Sequence, residues 1–353
     1  MQPPAPDGRA LALTPPHAYG APPATGVLRA VPEDFVVEED LGFEPAGSGA
    51  HLLLKVRKRD ANTAWVAREL ARIAGCRPSA TGYAGLKDRR AVAVQWFSVP
   101  RPQTAVDWRD AGGGAFEVLE AHPHTRKLPR GALAGNHFAV RIRAADGDGA
   151  GLAALIAPRL GEIGRRGVPN YFGPQRFGRD GANLARAGAD PASLRHEERG
   201  FVLSAARSLI FNAVLAERVR DGRWERIGGG DLANLDGRGS FFAVAAADAT
   251  LTERCERLEI HPTGPLWGRG QPAAAHAVLQ LETRIAEQFP VHTTLCAAAG
   301  MQQERRSLRL AVRGLSCEPE PQAVLLRFRL ARGCFATAVL RELIVAPEAT
   351  PEA

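Results

Sequence analysis

One carboxylate sits among three cations in the stretch GLKDRR, where Asp88 is flanked by Lys87, Arg89 and Arg90. Adjacent positive charge favours an ionised acid, and an ionised acid serves as a nucleophile better than as a general acid. The same cations suit contacts to phosphate. A charged turn or helix cap with no chemistry has the same local pattern, so residue types alone leave both readings open. Lysine occurs only at 55, 58, 87 and 127, so arginine is the default cation of this chain and a lysine beside Asp88 stands out.

Other chemistry-bearing patterns are weaker. No GxxxxGK[ST] phosphate loop is present, and the glycines of DGDGAG and GGG do not form a dinucleotide-binding turn between strand and helix. His122 and His124 lack a third nearby ligand, and His292 with Cys296 makes only an isolated pair. His196 and Glu198 match the H-x-E of zinc nucleic-acid deaminases, but no CxxC follows, which disfavours that chemistry. The cysteines, at 76, 255, 296, 317 and 334, lie far apart, and reduced thiols are expected. No metal site is expected.

The elements that must position Asp88 are legible as periodicity. HLLLKVRK alternates Leu52, Leu54 and Val56 against Leu53, Lys55 and Arg57, a half-buried strand. NTAWVARELARIAG follows as a helix, with Asn62 or Thr63 as cap, Val66, Leu70 and Ile73 on one face and Gly75 as stop. Asp88 then lies in a connection leading into the apolar strand AVAVQWFSV. HFAVRIR and AVLLRFRL alternate again; GLAALIAPRLGEIGRRG reads as a helix interrupted at Pro158, and FVLSAARSLIFNAVLAERV as a long helix. In GCFATAVLRELI, Phe335, Val339 and Leu343 follow helical spacing, GNHF reads as a turn with Asn136 at its left-handed position, and PEDFVVEE reads as a strand entry with an exposed acidic cluster. Strand and helix patterns at both ends enclose a turn-rich middle, which predicts one α+β domain interrupted by an insertion.

The chain has 353 residues, 45% hydrophobic and 24% charged, as expected of a soluble protein, with a net charge of +7 that favours a polyanionic partner. No membrane insertion is expected, because apolar runs fall short of the roughly 20 residues of a span. Residues 1–26, rich in Pro, Ala and Gly, lack a signal-peptide core and read as an unordered leader on a cytoplasmic protein.

In order along the chain, VPEDFVVEE, NTAWVARELAR, GYAGLKDRRAVAVQWFS, RKLPRGALAGNHF, VPNYFGPQRFG, SAARSLIFNAVL, HPTGPLWG and QQERRSLRL together resemble the TruD family of tRNA pseudouridine synthases. The resemblance implies isomerisation of uridine 13 in the D arm of tRNA to pseudouridine, with no metal, nucleotide or redox cofactor. It implies a mixed, largely antiparallel sheet with helices, interrupted by a family-specific insertion. By motif position it makes Asp88 the nucleophile and places Phe35, Asn136 and Phe335 in the uridine pocket. Attack on the ribose or on the base stays open; an ionised carboxylate favours the anomeric carbon. Lys87, Arg89 and Arg90 are expected to contact phosphate or the carboxylate. The expected boundaries are a leader at 1–26, a catalytic domain at 27–165 plus 310–346, the insertion at 166–309 and an unordered tail at 347–353. A monomer is expected. The competing reading is a catalytically silent RNA-binding protein or chaperone of the same fold, which would be expected to lose Asp88.

Overall fold

A computed structural model describes residues 8–108, 112–188 and 195–346. The described residues group into two compact units. One holds 23–108, 112–160, 312–333 and 344–346; the other holds 8–22, 161–188, 195–311 and 334–343.

The first unit is built on a ten-stranded mixed sheet. Its labelled strands are β1 (Ala24–Leu28), β2 (Phe35–Asp40), β3 (His51–Arg59), β4 (Gly82–Tyr83), β5 (Val92–Pro100), β6 (Phe116–His124) and β7 (Gly135–Ala144). From one edge the order is Arg313–Glu320, Ala323–Ala331, β7, β2, β5, β3 and β6. β1 pairs with β7 and, in parallel, with Ile344–Val345. β2 and β5 also run parallel, whereas β2–β7, β3–β5 and β3–β6 are antiparallel. Alternation decides the faces. Leu54 and Val56 of β3 lie opposite Phe97 and Gln95 of β5, and this face receives the helix α2 (Thr63–Ile73) through Val66, Ala67 and Leu70. Complete burial of Val66 and Leu70 stabilises by about 1.5–3 kcal/mol each.

Asn136 is not in a turn. It sits near the start of β7, opposite Glu39 of β2 and Leu330 of the neighbouring strand. The acids of PEDFVVEE are not all exposed either: Asp34 and Glu39 are buried, because each meets a cation. Helix Gly149–Arg166 runs through Pro158 without interruption, and buried Ile156 and Ile163 on either side show packing overriding the missing hydrogen bond.

In the second unit, the helix His196–Arg220 is surrounded by Tyr171, Phe172, Phe177, Trp224, Leu281 and Phe289. It is long and apolar enough to cross a membrane, but 67% of that apolar window is buried within the protein. A four-stranded sheet in the order Phe241–Ala243, Leu232–Leu235, Ile260–Leu266 and Glu304–Ser307 lies in the same unit.

Two expectations need correction here. The stretch expected to be an unordered leader contains a helix, α1 (Gly8–Leu13), whose Leu11 and Ala12 are buried in this unit's core, and β1 begins at Ala24. Short as it is, the segment carries enough apolar surface to dock, and the backbone at Gly8 lies against Leu209 and Phe289. Residues 334–343, expected with the catalytic sheet, group instead with 161–311, and their helix is only Ala336–Leu340. Arg341 lies over the Tyr171 ring at 5.2 Å, while Val339 and Leu343 are fully buried. The tail at 347–353 and the first seven residues of the leader lie outside the described residues.

Candidate active site

The loop that carries Asp88 is held from below by buried polar groups on one face of the sheet. Thr63, the first residue of α2, accepts from the Lys87 backbone N–H at 3.1 Å and donates to Gln95 Oε1 at 2.9 Å. Gln95 Nε2 in turn donates to the Gly85 carbonyl at 3.3 Å. From β3, the Lys58 ammonium donates to the main-chain carbonyls of Asp88 at 2.9 Å and Ala61 at 2.6 Å. Lys58 is fully buried, and desolvation brings its pKa down to about 8; Asp88 and Asp60 oppose that fall and Lys87 adds to it.

The Asp88 carboxylate is exposed, and its cation comes from elsewhere in the chain. Arg29 Nη2 donates to Asp88 Oδ2 at 2.7 Å. Arg29 has a left-handed φ of 57°, immediately after β1, and its guanidinium lies 4.2 Å from the centroid of the Phe35 ring. The turn between them is pinned by buried Asp34, which accepts from the Val31 N–H at 3.1 Å and from Arg143 through two bonds of 2.8 and 2.9 Å. Phe35 itself is buried and meets Phe138 edge to face, with centroids 6.0 Å apart. Asp88, Arg29 and Phe35 are thus joined in one contact chain.

The three bases of the Asp88 turn go elsewhere. Lys87 turns inward to Glu39 in a buried ion pair, and Glu39 Oε2 also accepts from the Trp96 N–H at 2.9 Å. Arg89 pairs with Asp60 at 3.4 Å, and Arg90 is exposed. The expectation that Lys87 would face phosphate or the carboxylate therefore fails for its ammonium, because an unpaired Glu39 in that interior would cost several kcal/mol.

Asn136 is buried opposite Glu39 across the β2–β7 pair, and its Oδ1 has no hydrogen-bond partner. Phe35 and Glu39 are four residues apart on one strand, so Phe35, Glu39 and Asn136 share a face. Phe335 belongs to the other unit, where it caps Ala336–Leu340. Among the zinc decoys, His122 is bonded to Glu120 at 2.9 Å, and no cluster of three metal-ligating side chains occurs among the described residues.

Sequence reasoning missed Arg29, Lys58 and Glu39. Lys58 had a signal: continuing the alternation of Leu54 and Val56 puts a lysine on the buried face, where it needs a reason. Arg29 had none, since it lies 59 positions from Asp88.

A family model described as tRNA pseudouridine synthase D (TruD) matches residues 15–190 and 192–343. A tRNA pseudouridine synthase D from Pseudomonas putida is 46% identical over 343 residues, covering 95% of each chain. One from Nitrosococcus oceani is 43% identical over 348 residues, covering 94% of each. The fold matches the crystal structure of the putative tRNA pseudouridine synthase D of Methanosarcina mazei with a TM-score of 0.71 at 21% identity, covering 98% of this chain and 99% of that one. The family model, matched over residues 15–190 and 192–343, and relatives 43% and 46% identical over nearly their whole length place the protein in the TruD family of tRNA pseudouridine synthases.

Proposed function

We propose that this chain converts uridine 13 in the D arm of tRNA to pseudouridine, with Asp88 as the nucleophile. The observation that carries the reading is the Arg29–Asp88 pair: an accessible carboxylate bonded to a guanidinium that also covers Phe35. An arginine cannot give up its proton under ordinary conditions, so the carboxylate faces a permanent cation and its attack as an anion is supported.

In the proposed sequence, an Asp88 oxygen attacks C1′ of the target ribose while the C1′–N1 bond breaks and its electron pair leaves with uracil. The freed uracil turns, C5 forms a bond to C1′, and the Asp88 oxygen departs with its electrons. Loss of the proton on C5 and protonation of N1 complete an isomerisation with no net change in atoms. Phe35 would wedge beside the flipped base, and Asn136, with a buried acceptor lacking a partner, would bond the base edge or ribose. Phe335 is proposed as an aromatic surface for RNA. Arg89 and Arg90, both exposed, remain candidates for phosphate contact.

The test maps pseudouridine in unmodified tRNA after incubation with the wild type and with Asp88→Ala. Conversion at position 13 by the wild type and a loss of at least roughly 10³-fold in the variant are expected. Tight tRNA binding with no conversion by the wild type would instead favour a silent RNA-binding protein.

A further inference from the structure

Of the stretch RKLPRGALAGNHF, the chemistry above uses only Asn136; its first part, residues 126–131, is a short cationic ridge beside the Asp88 loop. One side chain holds the ridge down: Leu128 is buried among Leu41, Leu53, Ala84 and Trp96. Its backbone is fixed as well. The Leu128 N–H donates to Ser98 Oγ at 2.8 Å, and the Gly131 N–H donates at 2.7 Å to the carbonyl of Ala84, four positions before Asp88. The two loops approach so closely that a Cβ built on Gly82 would collide with the Leu128 carbonyl oxygen.

The cations of the ridge stay outside while their geometry is set. Arg126, Lys127 and Arg130 are exposed, and so is Arg332, which reaches the ridge from the next loop by donating from Nη1 to the Gly131 carbonyl at 3.3 Å. The Arg130 guanidinium lies 3.6 Å from the centroid of the Tyr83 ring, and the Lys127 ammonium donates to the Ser79 carbonyl at 2.6 Å. Other exposed arginines of this unit meet acids: Arg57 meets Glu117 at 3.0 Å, Arg72 meets Glu69 at 3.0 Å and Arg327 meets Glu318 at 3.4 Å. Among the described residues, none of the four ridge cations is in an ion pair with a carboxylate. Like charges gathered this way make a local positive potential, and side chains already held by a ring or a carbonyl lose less rotamer freedom when an anion arrives.

We propose that Arg126, Lys127, Arg130 and Arg332 bind the phosphodiester backbone of tRNA next to the target nucleotide. The inference rests on the reading that the chain acts on tRNA. A ribose at the Asp88 carboxylate carries a phosphate on each side, and the ridge is joined by a backbone hydrogen bond to the loop that carries Asp88. Guanidinium forks and an ammonium suit phosphate oxygens, and a row of them suits a polyanion better than a single free anion.

The test has two arms on the full chain. Affinity for unmodified tRNA is measured against salt for the wild type, for Arg126→Gln/Lys127→Gln/Arg130→Gln, and for a control, Arg57→Gln/Arg72→Gln/Arg327→Gln, with the same loss of charge. The ridge variant should bind at least about ten-fold more weakly near 0.1 M salt, with a log–log salt slope shallower by about 2–3, and the control should change the slope by less than about 1. Wild-type affinity and slope in the ridge variant, or equal losses in ridge and control, would overturn the site. The second arm needs no variant: phenylglyoxal modification of Arg126 and Arg130 is followed by mass spectrometry. Saturating tRNA should slow it at least about five-fold, and inorganic phosphate at equal phosphate concentration much less. Equal slowing by both would make this a free-anion site, and no slowing would remove it. Pseudouridine formation with an unprotected ridge refutes only this inference. A protected ridge with no pseudouridine refutes only the proposed reaction.

Discussion

The Arg29–Asp88 pair is a matter of charge placement more than of stability. Both side chains are partly exposed, and ion pairs in such settings contribute about 0–1 kcal/mol. Arg29→Met should therefore leave the melting temperature within a few degrees of wild type. An interaction of about 1 kcal/mol with the proposed nucleophile, lost in the transition state, corresponds to a single-turnover rate roughly 5-fold slower. Arg29→Lys should recover part of that rate; a wild-type rate in Arg29→Met would remove Arg29 from the chemistry. Phe35 is a harder residue to test, because it is buried against Phe138 and truncation to alanine would cost about 3–5 kcal/mol as well as any stacking. Asp88 stood out as a candidate from its motif, and the structure finds its carboxylate exposed. Its partner did not: the three adjacent cations are drawn to Glu39, to Asp60 and to solvent, and that choice depends on which strand lies beneath the turn.

At the scale of elements, β3 and α2 fix the loop by polar bonds made in an apolar interior. The strand and the helix were both legible, because period-two and helical spacing are properties of local sequence; their polar ends were not, since a lysine on a buried face becomes informative only once the carbonyls it meets are known. Lys58 serves two carbonyls, and Lys58→Met would leave both short of a donor at roughly 1–3 kcal/mol each. Its pH dependence has a definite sign. The folded pKa of about 8 lies below the ordinary 10.5, so between these values the unfolded chain holds a proton that the folded chain has released. The Lys58 contribution to stability therefore rises with pH across that window, by on the order of 3 kcal/mol, and is constant below it. Urea unfolding of wild type and Lys58→Met from pH 7 to pH 10 should show the wild type gaining relative to the variant; parallel curves would mean that Lys58 carries no such shift.

For the whole molecule, the instructive residues are those at the start of the chain. Proline, alanine and glycine over the first 26 positions suggested too little apolar surface to order the segment, yet two apolar side chains on one short helix find a core built mainly from 161–311. Composition averages over a segment, whereas docking needs only a few residues that fit one site. Beyond Leu11 and Ala12, the Ala18 N–H donates to buried Glu342 Oε2 at 3.1 Å, and the Tyr19 hydroxyl donates to the Gly167 carbonyl at 2.5 Å. Burial helps to push the Tyr19 pKa far above its ordinary value, so this hydroxyl remains a donor at any working pH. Deleting residues 1–22 would expose Leu209 and Phe289, remove about 1.5–3 kcal/mol from Leu11 alone, and take a donor from the Glu342 carboxylate. Several kcal/mol should be lost in all, which for a unit of this size lowers its transition by about 10 °C. Leu11→Ala, at roughly 2–4 kcal/mol, should lower the same calorimetric transition by a smaller amount. If the truncated chain melts as the full chain does, the first helix contributes nothing to the core; if truncation and Leu11→Ala shift the same transition in that order, the segment is part of the folded unit and must be kept in any preparation used to measure pseudouridine formation.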